Sequence, residues 1–169
     1  MRYAALLRGV SPMNCRMADL RRALEAAGFE NVVTVLSSGN AVFDARKQST
    51  AGLERKCEAA FPAFLGRGFV TIVRPIDDLE RLLGSRPYSG VALPAHFSRE
   101  VTFLRRQPAT KFASRWLGDG VFVRVRGTEA FSAYEANEDG VLALRLFERT
   151  FGKEQTTRTW RTVEKVARA

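Results

Sequence analysis

The chain has 169 residues, 46% of them hydrophobic and 27% charged, which is enough apolar material for a buried core in one domain or two small ones. Its net charge of +9 comes mostly from arginine and favours acidic partners such as phosphates or nucleic acid. A single histidine and two cysteines with no CxxC pair argue against zinc chemistry, and no apolar run approaches the roughly 18 residues that would span a bilayer.

In chain order, Tyr3-Ala4-Ala5-Leu6-Leu7 is a short apolar run that predicts a buried strand. Met17, Leu20, Leu24 and Ala27 recur at helical spacing, with Gly28 as the stop. Val32 to Leu36 is β-branched, Ser37-Ser38-Gly39-Asn40 is turn chemistry, and Ala41-Val42-Phe43 resumes a strand, which together predict a hairpin. Leu53, Cys57, Ala60, Phe61 and Phe64 share one helical face, and Phe69 to Val73 closes the unit as a fourth strand. That order, βαββαβ, is a ferredoxin-like plait.

Ile76, Leu79, Leu82 and Leu83 predict a connecting helix ended by Gly84, followed by a loop over 85–98 rich in Pro, Gly and Ser. A strand is expected at Val101–Leu104 and a helix from Pro108 to Trp116. A second hairpin is expected over 121–125 and 130–134, then a helix through Leu144, Phe147 and Phe151 stopped by Gly152. Trp160, Val163 and Val166 mark a last helix, standing where a final strand would complete a second plait. The expected fold class is therefore α+β, with two plait-like subdomains, antiparallel sheets with helices on one face, and an extra C-terminal helix. The expected boundaries are 1–75 for the first subdomain, 76–98 for a linking helix and loop, and 99–169 for the second subdomain and the last helix.

Several chemistries are disfavoured. His96 lies in a Pro-rich loop with no GxSxG elbow, so a Ser-His-Asp triad is not expected. Neither GxxxxGK[ST] nor GxGxxG after a strand is present, which argues against the standard nucleotide-binding folds, and no cofactor is expected. Glu135, Glu138 and Asp139 could hold Mg²⁺ but read better as a solvated turn before a helix. Arg67-Gly68-Phe69-Val70 begins like the aromatic motif of RNA-recognition modules, then fails at Val70 and Thr71. Residues 1–75 carry a net +5 and residues 76–169 a net +4, so the charge forms no basic arm. Any nucleic-acid binding should be weak, non-specific and salt-dependent. Cys57 on a core face, and Arg2 with no long apolar stretch after it, predict a cytoplasmic protein without a signal peptide.

Five segments carry a family resemblance: Leu6-Leu7-Arg8-Gly9-Val10, Met17-Ala18-Asp19-Leu20, Gly28-Phe29-Glu30-Asn31-Val32, Ser37 to Phe43, and Thr156-Thr157-Arg158-Thr159-Trp160. Together the chain resembles, from Tyr3 to Val166, the bacterial family catalogued as domain of unknown function 1697 (DUF1697). The resemblance implies an α+β fold of two plait-like subdomains and brings no activity, substrate or catalytic residue. Many members have a longer, glycine-rich loop where this chain has Ser11-Pro12-Met13-Asn14-Cys15, and often Asn where Thr159 stands.

The functional expectation is an anionic ligand, bearing phosphate or carboxylate, bound in a cleft between subdomains by Arg8, Asn14, Ser38, Asn40, Thr157 and Arg158. Arg8 ends the first strand and Asn14 lies in the next loop. The Ser38–Asn40 turn can present backbone N–H groups. Thr157 or Thr159 caps the last helix, where Arg158 and Arg161 oppose the macrodipole unless an anion binds there. The alternatives are weak nucleic-acid binding, or an enzyme that works on a phosphorylated small molecule with Arg, Ser, Thr and Asn groups. No membrane partner is expected.

Overall fold

A computed structural model describes residues 1–108, 121–135 and 143–169, with backbone alone for 115–117 and 138–142. The chain divides into two compact units, Met1–Leu83 with Glu164–Ala169, and Gly84–Val163.

The first unit begins with β1 (Arg2–Leu7), α1 (Met17–Ala26), β2 (Glu30–Val35), β3 (Asn40–Asp44), α2 (Thr50–Leu65) and β4 (Thr71–Pro75); α3 (Ile76–Gly84) follows. Its sheet runs β2-β3-β1-β4 with every pair antiparallel, the plait order. β1 is central and buried from Tyr3 to Leu7, so its sequence reads as a continuous apolar run rather than an alternating one. Tyr3, Ala5, Leu7, Ala41, Phe43 and Val73 pack with Leu20, Ala23 and Leu24 of α1 and with Leu53, Cys57 and Phe61 of α2. Burying each such large side chain stabilises the fold by about 1.5–3 kcal/mol.

Two expectations within this unit need correction. The fourth strand starts at Thr71 rather than Phe69, and Phe64 is 41% exposed rather than part of the core face. Phe69 explains both: the loop after α2 folds back and sets its ring edge-on to Phe61, 6.4 Å away. Phe69 is thereby buried, with Arg67 over its face, so it is no open stacking platform for a base.

Glu54 is buried on α2 among apolar neighbours, and its carboxylate accepts from Val73 N at 3.0 Å. One turn on, Glu58 accepts from Thr71 N at 2.8 Å. β4 is an edge of the sheet, so two of its outward N–H groups are closed off by side chains of α2.

The second unit contains β5 (Ser98–Leu104), β6 (Arg115–Leu117), β7 (Val121–Arg126), β8 (Glu129–Tyr134), α4 (Glu138–Phe151), β9 (Gln155–Thr159) and the start of α5 (Trp160–Ala167). Its sheet runs β6-β7-β8-β5-β9. Without the edge strand β6, the order of β7, β8, β5 and β9 repeats that of the first sheet. α4 packs Ala143 and Phe147 against Val121, Val123 and Tyr134. The expected three-stranded sheet is thus five-stranded, and the final strand thought missing is β9, antiparallel to β5. Its signal is three β-branched threonines in five residues, while its buried positions Gln155, Thr156 and Arg158 are polar and show no apolar pattern. Trp116, expected to end a helix, stands on β6; residues 109–114 of that expected helix lie outside the described residues, as do the side chains of Glu138 and Asp139.

Candidate functional site

At the C-terminal end of β1, Arg8 donates its backbone N–H to Val70 O at 2.8 Å, and Leu7 N donates to Gly39 O at 2.8 Å. The chain then turns through Gly9, at φ 71°, into a loop braced by one side chain. Asn14 accepts from Ser11 N through Oδ1 and donates through Nδ2 to Gly9 O, each at 2.9 Å. The β2–β3 turn closes on this loop so tightly that a Cβ on Gly39 would lie 2.6 Å from Val10 Cβ. Asn40 is fully buried and holds the turn from within, donating to Val35 O and to Ser38 Oγ at 3.0 Å each. Leu36 takes φ 60° in the same turn, a strained conformation for a bulky residue.

Arg8, Asn14, Ser38 and Asn40 are therefore gathered at one end of the first sheet. The amides of Asn14 and Asn40 shape the backbone there. α1 starts from the same loop, with Arg16 as its N-cap residue in extended conformation and no side-chain cap bond. Cys15 beside it is buried, and burial together with Asp19 raises its thiol pKa, so it is an inert thiol.

Thr157 and Arg158 belong to the second unit and lie on β9, so neither opens the last helix. Thr159 is the residue that caps it, accepting from Thr162 N at 3.2 Å. As neighbours on a strand, Thr157 and Arg158 point to opposite faces. The Thr157 hydroxyl meets that of Thr102 at 2.8 Å. The Arg158 guanidinium folds back onto its own strand, donating to Thr156 Oγ1 at 2.7 Å and Thr157 O at 2.8 Å, and burial lowers its pKa to about 10.

One polar cluster of the second unit gave no motif in the sequence. Glu100 on β5 stands directly across from Ser132 on β8 and Thr159 on β9. Its carboxylate shares a hydrogen bond with Tyr134, while Tyr88 donates to its backbone O at 2.7 Å. Burial raises the Glu100 pKa, partly offset by Tyr134. A carboxyl whose folded pKa exceeds its unfolded value of about 4.3 is favoured protonated. Its contribution to stability is complete below that value and is lost as pH rises through the folded pKa. Glu100→Gln keeps an acceptor for Tyr134 and is expected to remove this loss. Urea denaturation at pH 4 and pH 7 should show the variant gaining on the wild type at the higher pH; a difference independent of pH would contradict this.

The fold is an α+β chain built of two ferredoxin-like units with antiparallel sheets. The family model described as "Protein of unknown function (DUF1697)" matches residues 1–117, and the chain belongs to that family. The last of the five motifs, Thr156 to Trp160, lies beyond the matched residues. The structure of a conserved bacterial protein from Streptococcus pneumoniae is similar at 23% identity, covering 99% of this chain and 96% of that one with a TM-score of 0.73, which supports the fold. No curated protein matches the sequence. Among the described residues, no helix is long and apolar enough to cross a membrane, and no group of three or more His, Cys, Asp or Glu is placed to hold a metal ion.

Proposed function

We propose that the first unit binds a small anion, bearing phosphate or carboxylate, at the loop end of its sheet, with Arg8 as the charged contact. The observation that carries this reading is the bracing of the Arg8 loop by Asn14 and Gly39 next to a helix start with no side-chain cap. A braced loop loses little conformational entropy on binding, so more of the interaction energy is left as affinity. A guanidinium and backbone N–H groups at a helix start are complementary to carboxylate and phosphate oxygens. Asn14, Ser38 and Asn40 serve this site by holding the backbone. Thr157 and Arg158 of the second unit are not required by it.

The test is a titration of ¹⁵N-labelled protein with inorganic phosphate, followed by NMR. Saturable shifts are expected at Arg8, Gly9, Met17 and Ala18. A hydrogen bond to a charged group contributes about 1.5–3 kcal/mol, so Arg8→Ala should weaken binding by about tenfold or more. Unchanged affinity in Arg8→Ala would sink the reading. Shifts caused by oligonucleotides alone, and abolished by physiological salt, would move it to non-specific nucleic-acid binding.

A further inference from the structure

At the opposite end of the same sheet, a cleft of about 500 Å³ opens beside the last residues of β3. The two ends are fixed by register: Leu6 pairs with Asn40 near the Arg8 loop, and Arg2 pairs with Asp44 at the cleft. The volume lies within the range of small-molecule sites. The lining is bipolar. Glu30 and Asp44 contribute carboxylates from the strands, whereas Lys56 of α2 and Arg46 of the loop after β3 contribute cations; Met1, whose terminal ammonium donates to Ala45 O at 3.0 Å, also lines the cleft.

The carboxylate side is built at some cost. Glu30 and Asp44 are direct cross-strand partners, so two like charges share one face of a two-stranded pair. The register shifts just beyond Glu30, and Asn31 takes φ 49°, which places its Nδ2 2.8 Å from Asp44 Oδ2. Arg2 supports the same carboxylate from β1 at 3.5 Å. The Asn31 hydrogen bond first, then Arg2 and the N-terminal ammonium of Met1, hold the Asp44 carboxyl below the usual carboxylate range, so it stands ionised at the cleft.

The cationic side is also fixed in place. The Lys56 ammonium rests over the Phe29 ring, 4.7 Å from its centroid, and a cation so placed is held by the ring quadrupole. Gly28 lines the cleft beside it, where a Cβ would make an ordinary contact of 3.7 Å with Lys56 Nζ.

We infer that this cleft is a binding site for a small zwitterion, a free amino acid or short peptide, with its ammonium end between Glu30 and Asp44 and its carboxylate end on Lys56 and Arg46. The inference is independent of the Arg8 site, since no residue is shared.

Diglycine is a direct probe, with glycinamide as the cation-only control and N-acetylglycine as the anion-only control. ¹⁵N NMR titration of the full chain should show saturable shifts at Gly28, Asp44, Ala45, Arg46 and Gln48. Diglycine should bind at least fivefold more tightly than either control. Lys56→Met should abolish its advantage over glycinamide, and Glu30→Gln its advantage over N-acetylglycine. Both substitutions are at the surface, and unchanged urea midpoints would confirm that the fold is kept. Equal response to all three probes, no saturable shift at high millimolar diglycine, or unaltered selectivity in both variants would overturn the inference. Shifts at Arg8 and Gly9 instead would assign the binding to the other end of the sheet.

Discussion

Replacing Glu54 with alanine is expected to destabilise the protein by about 3 kcal/mol, although a glutamate on a helix is ordinarily a surface residue. The reason lies in the direction of the β4 backbone. Residues of an antiparallel pair alternate between those bonded to the partner strand and those facing away from it. Val70 O accepts from Arg8 N, so Val70, Ile72 and Arg74 face β1, while Thr71 and Val73 face outward. Glu58 and Glu54 accept those two outward N–H groups. Glu54 is 4% exposed, so removing its carboxylate leaves the Val73 N–H buried without an acceptor. Glu58 is less buried, and water can replace its bond, so Glu58→Ala should cost about 1 kcal/mol or less. Glu54→Gln retains an acceptor oxygen and should fall between the two. Urea unfolding of the three variants checks the order. A Glu54→Ala variant within about 0.5 kcal/mol of wild type would show that the bond adds nothing net. Because the same contacts close a sheet edge, Glu54→Ala should also aggregate more readily on partial unfolding.

This pair also shows where sequence reading stops. The helical stripe on α2 was legible from Leu53, Cys57 and Phe61, and the central strand from the run Tyr3 to Leu7, because burial there is apolar and periodic. Where burial is polar the pattern fails. Glu54 looks like a solvated acid until the edge strand beside it is known. β9 looks like the approach to a helix because Gln155, Thr156 and Arg158 are buried through hydrogen bonds rather than by apolar side chains. The N-cap at Thr159 was legible, and its strength as a local signal drew the preceding threonines into the wrong element. Phe64 matched its helical face by spacing, yet Phe69, from a loop whose path no periodicity describes, packs against Phe61 instead. Of the candidate site, the nearness of Arg8, Asn14, Ser38 and Asn40 follows from a hairpin paired with β1 and was therefore within reach. That Asn14 and Asn40 turn their amides inward depends on backbone geometry that the residue names do not carry.

Gly39→Ala should be among the most damaging single-methyl additions in the first unit, costing about 3 kcal/mol through two separable terms. One is conformational: Gly39 has φ 74°, where a side chain costs roughly 1–2 kcal/mol. The other is steric: the new Cβ would lie 2.6 Å from Val10 Cβ, 2.7 Å from Val10 Cγ2 and 3.1 Å from Leu7 Cβ, so turn and loop must separate. Overpacking of this kind costs about 1–3 kcal/mol. Gly9 supplies the control, since it has nearly the same φ of 71° but nothing within 4 Å of a Cβ, and Gly9→Ala should show the conformational term alone. A double-mutant cycle isolates the rest. Val10→Gly removes both Val10 atoms that meet the new methyl, Cβ and Cγ2, so the double variant should be more stable than the sum of the single losses predicts, by about 1 kcal/mol or more. Additivity within about 0.5 kcal/mol would mean that the turn and the Arg8 loop are not locked together. The same cycle bears on binding: if the packing of Gly39 against Val10 holds the loop in its competent shape, Gly39→Ala should weaken phosphate binding even where the protein remains folded, and adding Val10→Gly should restore part of it.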